Sequence, residues 1–175
     1  MRLIADAVSI ERTVARIAHE ILEKNRGVEN LALVGIQTRG VILARRIVQG
    51  ISGISGKFVP LGLLDINLYR DDLTRAAEQP VLKKTEITFN LDNQTLVLVD
   101  DVLYTGRTIR SALDAIVDFG RPRRVELAVL IDRGHRELPI RADFVGKNIP
   151  TSENELVHVH FSEIDGKDEV VVEEK

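Results

Sequence analysis

Cysteine is absent from the 175 residues. Disulfides, thiolate metal sites and a cysteine nucleophile are therefore excluded. No apolar run approaches the roughly 18 residues that a membrane-spanning helix needs. The amino-terminal stretch also lacks the apolar core of a secretory signal. A cytoplasmic protein without a membrane partner is expected. Internal repeats and low-complexity linkers are missing as well, and no Gly-Lys-Ser/Thr element marks a Walker loop. Charge of either sign is nearly balanced, with a net −3, which argues against a generic nucleic-acid binder. The balance is local, however. From Arg121 to Lys147 seven basic residues face four acids, whereas from Ser152 onward eight acids face two lysines. An acidic tail masks a basic segment.

Apolar spacing predicts strands alternating with helices. Ile10, Val14, Ile17, Ala18 and Ile21 repeat at helical spacing within Ile10 to Lys24. Ser9 is the expected cap and Gly27 lies just past the end. A strand is expected over Leu31–Ile36, a helix over Val41–Gln49 stopped by Gly50, and a strand over Phe58–Ile66. Asn67 to Thr85 is polar, charged and broken by Pro80, and a loop this long is expected to be either a mobile lid or disordered. A strand at Leu96–Val99, a helix at Thr108–Phe119 and a strand at Val125–Ile131 follow. Short strands are expected around Leu156–Phe161 and Glu169–Val172. This alternation implies an α/β fold with an open, mostly parallel sheet flanked by helices.

The densest chemistry lies in Leu96-Val97-Leu98-Val99-Asp100-Asp101-Val102-Leu103-Tyr104-Thr105-Gly106-Arg107-Thr108-Ile109. A buried strand runs into two adjacent carboxylates at the sheet edge where open α/β folds bind ligands. If the backbone turns there, both acids reach a ligand, and vicinal ribose hydroxyls would suit them. The plainer reading is that one acid caps the following loop and the other is solvated. Thr105-Gly106-Arg107-Thr108 then opens a helix, whose first N–H groups and hydroxyls can cradle a phosphate. Acids for a ribose followed by a cradle for its phosphate describe a phosphoribosyl site.

This run resembles the phosphoribosyl-pyrophosphate (PRPP) signature of type I phosphoribosyltransferases. Its Val-Asp-Asp-Val-Leu-Tyr-Thr-Gly-Arg-Thr form is similar to that of the PyrR family, bifunctional pyrimidine operon regulators and uracil phosphoribosyltransferases. Arg16–Glu20, Val34–Gly40, Asp65–Leu73 and Asp132–Asp143 carry the resemblance further, and it continues through Val145–Ser152. It implies one type I phosphoribosyltransferase domain over 1–175, with a flexible lid at 67–85 and a small hood with a basic segment at 132–152. The reaction implied is uracil plus PRPP giving UMP and diphosphate. Asp100 and Asp101 would be catalytic, orienting the ribose and supporting Mg²⁺ indirectly through PRPP. Val102, Leu103, Tyr104, Thr105, Gly106, Arg107 and Thr108 would hold the phosphate of PRPP or UMP. Thr38, Arg39 and Gly40 resemble the pyrophosphate loop, although a strand-to-helix turn with a solvated arginine would look the same. Tyr69 and Arg70 are the lid's candidates for touching diphosphate. Asp132, Arg133 and Gly134 would read uracil.

The family also implies binding to pyrimidine operon leader RNA, responsive to UMP, with transcription controlled by attenuation. Arg12, Arg16, His19 and Glu23 form one stripe on the first predicted helix, by themselves a solvated face. The resemblance assigns RNA contacts to Arg16, His19, His135, Arg136, Arg141 and Lys147. Ala15 stands where relatives carry a hydroxyl residue. A homodimer or larger homo-oligomer is implied too. The alternatives are a phosphoribosyltransferase without RNA regulation, or one for another base such as hypoxanthine, guanine or orotate. His158 and His160 alternate on a predicted strand, but no third ligand lies near them in sequence, so a solvent-facing strand is expected rather than a metal site.

Overall fold

The computed structural model describes residues 1–67 and 85–175. Tyr69 and Arg70 of the expected lid lie outside the described residues. The described elements are β1 (Arg2–Asp6), α1 (Ala7–Asn25), β2 (Leu31–Ile36), α2 (Arg39–Ser55), β3 (Leu61–Leu64), β4 (Thr95–Leu103), α3 (Arg107–Ile116), β5 (Arg124–Asp132), β6 (Phe144–Asn148), β7 (Glu155–His160), α4 (Ser162–Asp165) and β8 (Glu169–Glu174).

Every residue of β2 is buried. Leu31 and Leu33 enter the core on one face, and Ala32, Val34 and Ile36 enter it on the other. This period of two, apolar on both sides, requires helices over both faces. α1 and α2 cover one face and α3 the other. The sheet between them is parallel throughout, in the order β3-β2-β4-β5-β6. All its carboxyl ends therefore meet at one edge.

Several boundaries differ from the sequence expectation. α1 begins at Ala7 because Asp6 is the cap: its carboxylate accepts the Ser9 N–H at 2.8 Å, which leaves Ser9 inside the first turn. Gly50 does not stop α2, which continues to Ser55 and ends at Gly56, a residue at φ 68°. A Cβ at Gly50 would lie 3.1 Å from Cβ of Ala18, so this glycine marks the close approach of α1 and α2. β3 is shorter than Phe58–Ile66, and Phe58 is 81% exposed. α3 spans Arg107–Ile116 rather than Thr108–Phe119.

The expected hood also divides differently. Within 132–152, β6 joins the main sheet as the parallel neighbour of β5. A separate antiparallel sheet, β1-β8-β7, is built from both ends of the chain. Its Val159, Val170 and Val172, with Phe161 just after β7, enter the same core as α1 and α2. On β7, His158 Nε2 lies 2.8 Å from Glu173 Oε1, and His160 Nδ1 lies 3.0 Å from Glu169 Oε1. Cross-strand acids thus occupy both imidazoles. Among the described residues no helix is long and apolar enough to cross a membrane.

Candidate active site

β4 does not end at Val99. Its pairing with β5 continues through Val102–Ile131 and Leu103–Asp132, so the acid pair lies within the ladder. Strict alternation is not kept across them: Val99 and Val102 pack on one core and Leu98 and Leu103 on the other, and the register with β5 skips Asp101. Asp100 is 7% exposed, and its Oδ1 accepts the Asp101 N–H at 3.0 Å. Asp101 is half-buried, and its Oδ1 accepts the Val102 N–H at 2.9 Å. Each carboxylate is held by a neighbouring backbone donor. Asp100 lines a cavity of about 370 Å³ together with the run Val102–Ile109 and Glu137.

The Thr105–Thr108 run lines this cavity where α3 begins. Gly106 begins α3 at φ 93°, with no side chain capping the first turn. Its positive φ favours glycine. The helix start thus presents its positive dipole end and backbone N–H groups to the cavity. Thr105 Oγ1 accepts the Arg107 N–H at 3.3 Å, and Arg107 Nε donates to Glu137 at 2.6 Å.

The second loop, Thr38-Arg39-Gly40, lies against the strand that carries the acids. A Cβ at Gly40 would fall 2.5 Å from the Val99 oxygen and 3.2 Å from Cα of Asp100. Only glycine lets α2 start so close to β4. The Gln37–Thr38 peptide is cis. Arg39 Nη2 donates to Asp165 Oδ1 at 2.8 Å, and Arg39 Nε is buried without a partner. Burial raises the Asp165 pKa, but the hydrogen bond from the Phe161 N–H and the bond from Arg39 outweigh it, leaving the carboxyl below its ordinary value.

The loop after β5 is tied to the loop after β4. Asp132 accepts the Gly134 N–H at 3.0 Å and Arg136 Nη2 at 2.6 Å. Arg136 also donates to the Tyr104 oxygen at 2.7 Å and the Ile140 oxygen at 2.9 Å. Arg133, 5% exposed, sets its guanidinium 4.0 Å from the Tyr104 ring centroid and donates to the Ser152 oxygen at 3.2 Å. The Glu137 N–H donates to the Thr105 oxygen at 2.9 Å. The two loops therefore form one clasp. Glu137 and Asp165 were not singled out from sequence. Glu137 stands within the Arg-Gly-His-Arg-Glu motif and could have been considered, whereas nothing in the sequence marks Asp165.

The expected RNA residues fall into separate places. His19 and Arg141 are exposed. Arg16 donates to the Gly146 oxygen at 2.5 Å and to Glu20 at 2.6 Å, which ties α1 to β6. Lys147 reaches the Ile4 oxygen at 3.1 Å. His135, at φ 62°, lies 2.7 Å from the Thr151 oxygen. Arg136 belongs to the clasp.

A phosphoribosyl transferase domain model matches residues 4–165. A protein named "Bifunctional protein PyrR" from Pelotomaculum thermopropionicum is 60% identical over 169 residues, covering 97% of this chain and 93% of that protein. One of the same name from Thermus aquaticus is 61% identical over 170 residues, covering 97% and 94%. The chain belongs to the PyrR family of phosphoribosyltransferases. The hypoxanthine phosphoribosyltransferase of Trypanosoma cruzi superposes with a TM-score of 0.73 at 16% identity, over 98% of this chain and 95% of that one, a likeness of fold. The type I fold and the PyrR assignment expected from the sequence are both borne out. PyrR membership makes the chain a pentosyltransferase of the bifunctional kind, and the readings without regulation or with another base are not favoured.

The acid pair of this chain fits a hard divalent cation such as Mg²⁺. Hard oxygen donors suit that ion, which is commonly held by one or two carboxylates together with substrate phosphates and waters. Asp100 offers one carboxylate at the cavity itself, and Asp101 stands beside it.

Proposed function

We propose that this PyrR chain transfers the phosphoribosyl group of PRPP to uracil, giving UMP and diphosphate, through one domain spanning 1–175. The cavity bounded by Asp100, Val102–Ile109 and Glu137 carries this reading, because one surface offers an acid for ribose hydroxyls and a helix start for its phosphate. Thr105, Gly106, Arg107 and Thr108 hold the 5′-phosphate. Thr38, Arg39 and Gly40 hold the diphosphate, with backbone N–H groups and a guanidinium suited to its charge. Asp100 and Asp101 orient the ribose and stabilise the positive charge that develops at C1. The bond from C1 to diphosphate oxygen breaks as the bond from C1 to uracil N1 forms, and the N1 proton is released. No side-chain nucleophile takes part. The loop at Asp132, Arg133 and Gly134 is the proposed contact for uracil O2, N3–H and O4. Tyr69 and Arg70, outside the described residues, are the further proposed contacts for diphosphate, in a segment proposed to exclude water. Mg²⁺ bound with PRPP supplies charge neutralisation at the diphosphate.

The second role proposed for this chain is UMP-responsive binding of a pyrimidine operon leader RNA in the cytoplasm, by a homodimer or larger assembly. The exposed positions of His19 and Arg141, with Arg16 beside β6, favour this surface. The enzymatic reading is tested by incubating the protein with uracil, PRPP and Mg²⁺ and following UMP. Turnover is expected in the parent, with a fall of about a hundredfold or more in Asp101→Asn. Absence of turnover, with Asp101→Asn indistinguishable from the parent, would sink it.

A further inference from the structure

The arginine of the Thr38–Gly40 loop is partly buried and ion-paired rather than free in solvent. Arg39 occupies the first position of α2, beside the strand that carries Asp100. Its Nη2 lies 2.8 Å from Asp165 at the end of α4, 126 residues later. Asp165 is itself fixed: its Oδ2 accepts the Phe161 N–H at 2.9 Å, and its own N–H donates to the Phe161 oxygen at 2.7 Å. Phe161 is fully buried in the core shared by α1, α2 and the small antiparallel sheet. A chain of contacts thus runs from that core through Asp165 to Arg39.

We infer that Asp165 is a positioning residue for diphosphate, holding Arg39 in place for the ligand. This rests on the reading of Thr38–Gly40 as the diphosphate loop. An unrestrained arginine side chain has many rotamers, and immobilising it on binding opposes affinity. Asp165 removes that cost beforehand. The guanidinium has five donors in a planar fork, so one carboxylate contact leaves others for a second anion. The small sheet therefore acts on substrate binding through one ion pair, although Asp165 itself belongs to the chain's carboxyl-terminal layer.

Titration of the full-length protein with inorganic diphosphate and Mg²⁺ tests this without requiring turnover. Asp165→Asn is expected to weaken diphosphate binding about tenfold, the effect of losing one charge-assisted hydrogen bond. Asp165→Glu should recover part of the affinity. In an Arg39→Ala background, Asp165→Asn should change the affinity by less than about twofold, because coupled residues are not additive. In turnover, the KM for PRPP should rise while the KM for uracil stays within about twofold. Thermal melting identifies any variant that is merely unfolded, and Asp165→Glu then carries the comparison. Unchanged or tighter diphosphate binding in Asp165→Asn overturns the inference, as does an equal loss in the Arg39→Ala background. If the parent binds diphosphate but makes no UMP, the enzymatic reading fails while the positioning role is still decided by the titration.

Discussion

Arg136 reaches the Asp132 carboxylate at 2.6 Å, and its other donors reach the Tyr104 oxygen at 2.7 Å and the Ile140 oxygen at 2.9 Å. One side chain therefore joins the end of β5 to the loop after β4. Arg136→Ala would leave a carboxylate and two carbonyls without their donor. A stability loss of about 2–4 kcal/mol is expected in denaturant unfolding. Arg136→Lys should recover only part of it, because an ammonium cannot span three acceptors in the geometry of a guanidinium. A loss of RNA binding in Arg136→Ala is therefore informative only where the variant is shown to be folded. If Arg136→Ala is as stable as the parent, the clasp is not structural.

Gly40 gives a second test. A methyl group there would meet the Val99 oxygen at 2.5 Å, so α2 must shift away from β4. Gly40→Ala should cost about 1–3 kcal/mol of stability. It should also raise the KM for PRPP more than that for uracil, because the shift moves Arg39 relative to Asp100. Steady-state kinetics with each substrate varied in turn separates the two. Equal changes in both KM values would count against a diphosphate role for this loop.

The site was legible from the sequence where chemistry and local pattern coincide. β2, β4 and β5 carry short apolar runs, the Asp-Asp pair directly follows the apolar run of β4, and Thr-Gly-Arg-Thr comes just after the strand. What escaped depends on partners distant along the chain. β1 exists because it pairs with β8, joining Arg2 to Val172, and nothing near Arg2 signals this. β6 is short and only partly buried, and it is fixed by pairing with β5. The extension of β4 through the acids was hidden for the same reason: the ladder with Ile131 and Asp132 keeps the strand going past the polar residues. Gly50 was misread because a packing glycine and a terminating glycine look alike in sequence. Asp165 carried no motif, and its contact with Arg39 exists only in three dimensions.

Acid should loosen the contact between the small sheet and α2. Arg46 donates to Asp168 at 2.8 Å and to Glu163 at 2.5 Å, and it lies 4.8 Å from the Phe161 ring centroid. The hydrogen bonds from Arg46 hold the Asp168 carboxyl below 3.8 and the Glu163 carboxyl below 4.5, their ordinary values. Because both are depressed in the folded state, their stabilisation is fully present above the unfolded values. It is lost as pH falls through those values toward the folded ones. The parent Tm should therefore drop between about pH 5 and about pH 3. Asp168→Asn should melt lower than the parent at pH 7 but decline less steeply with acid. Parallel Tm curves for the two proteins would remove Asp168 from the acid response.

RNA binding provides the last test, and the clasp supplies its physical basis. UMP filling the cavity beside Thr105–Thr108 would stabilise the loop held through Glu137 and Arg136, which leads directly to Arg141 and then β6. β6 in turn receives Arg16 from α1 through the Gly146 oxygen. A Cβ at Gly146 would sit 2.3 Å from the Leu130 oxygen and 2.7 Å from Cγ2 of Thr13, so this junction has little slack. UMP should therefore tighten binding to the operon leader hairpin, by about fivefold or more if the coupling is of ordinary size. Arg141→Ala should weaken binding and reduce the salt dependence by about one phosphate contact. His19→Ala should weaken it without altering the melting temperature, since His19 is exposed on α1. Gel-shift titrations at several salt concentrations, with and without UMP, measure all three effects. RNA affinity indifferent to UMP, to Arg141→Ala and to His19→Ala would leave this surface as a solvated face and refute its regulatory role.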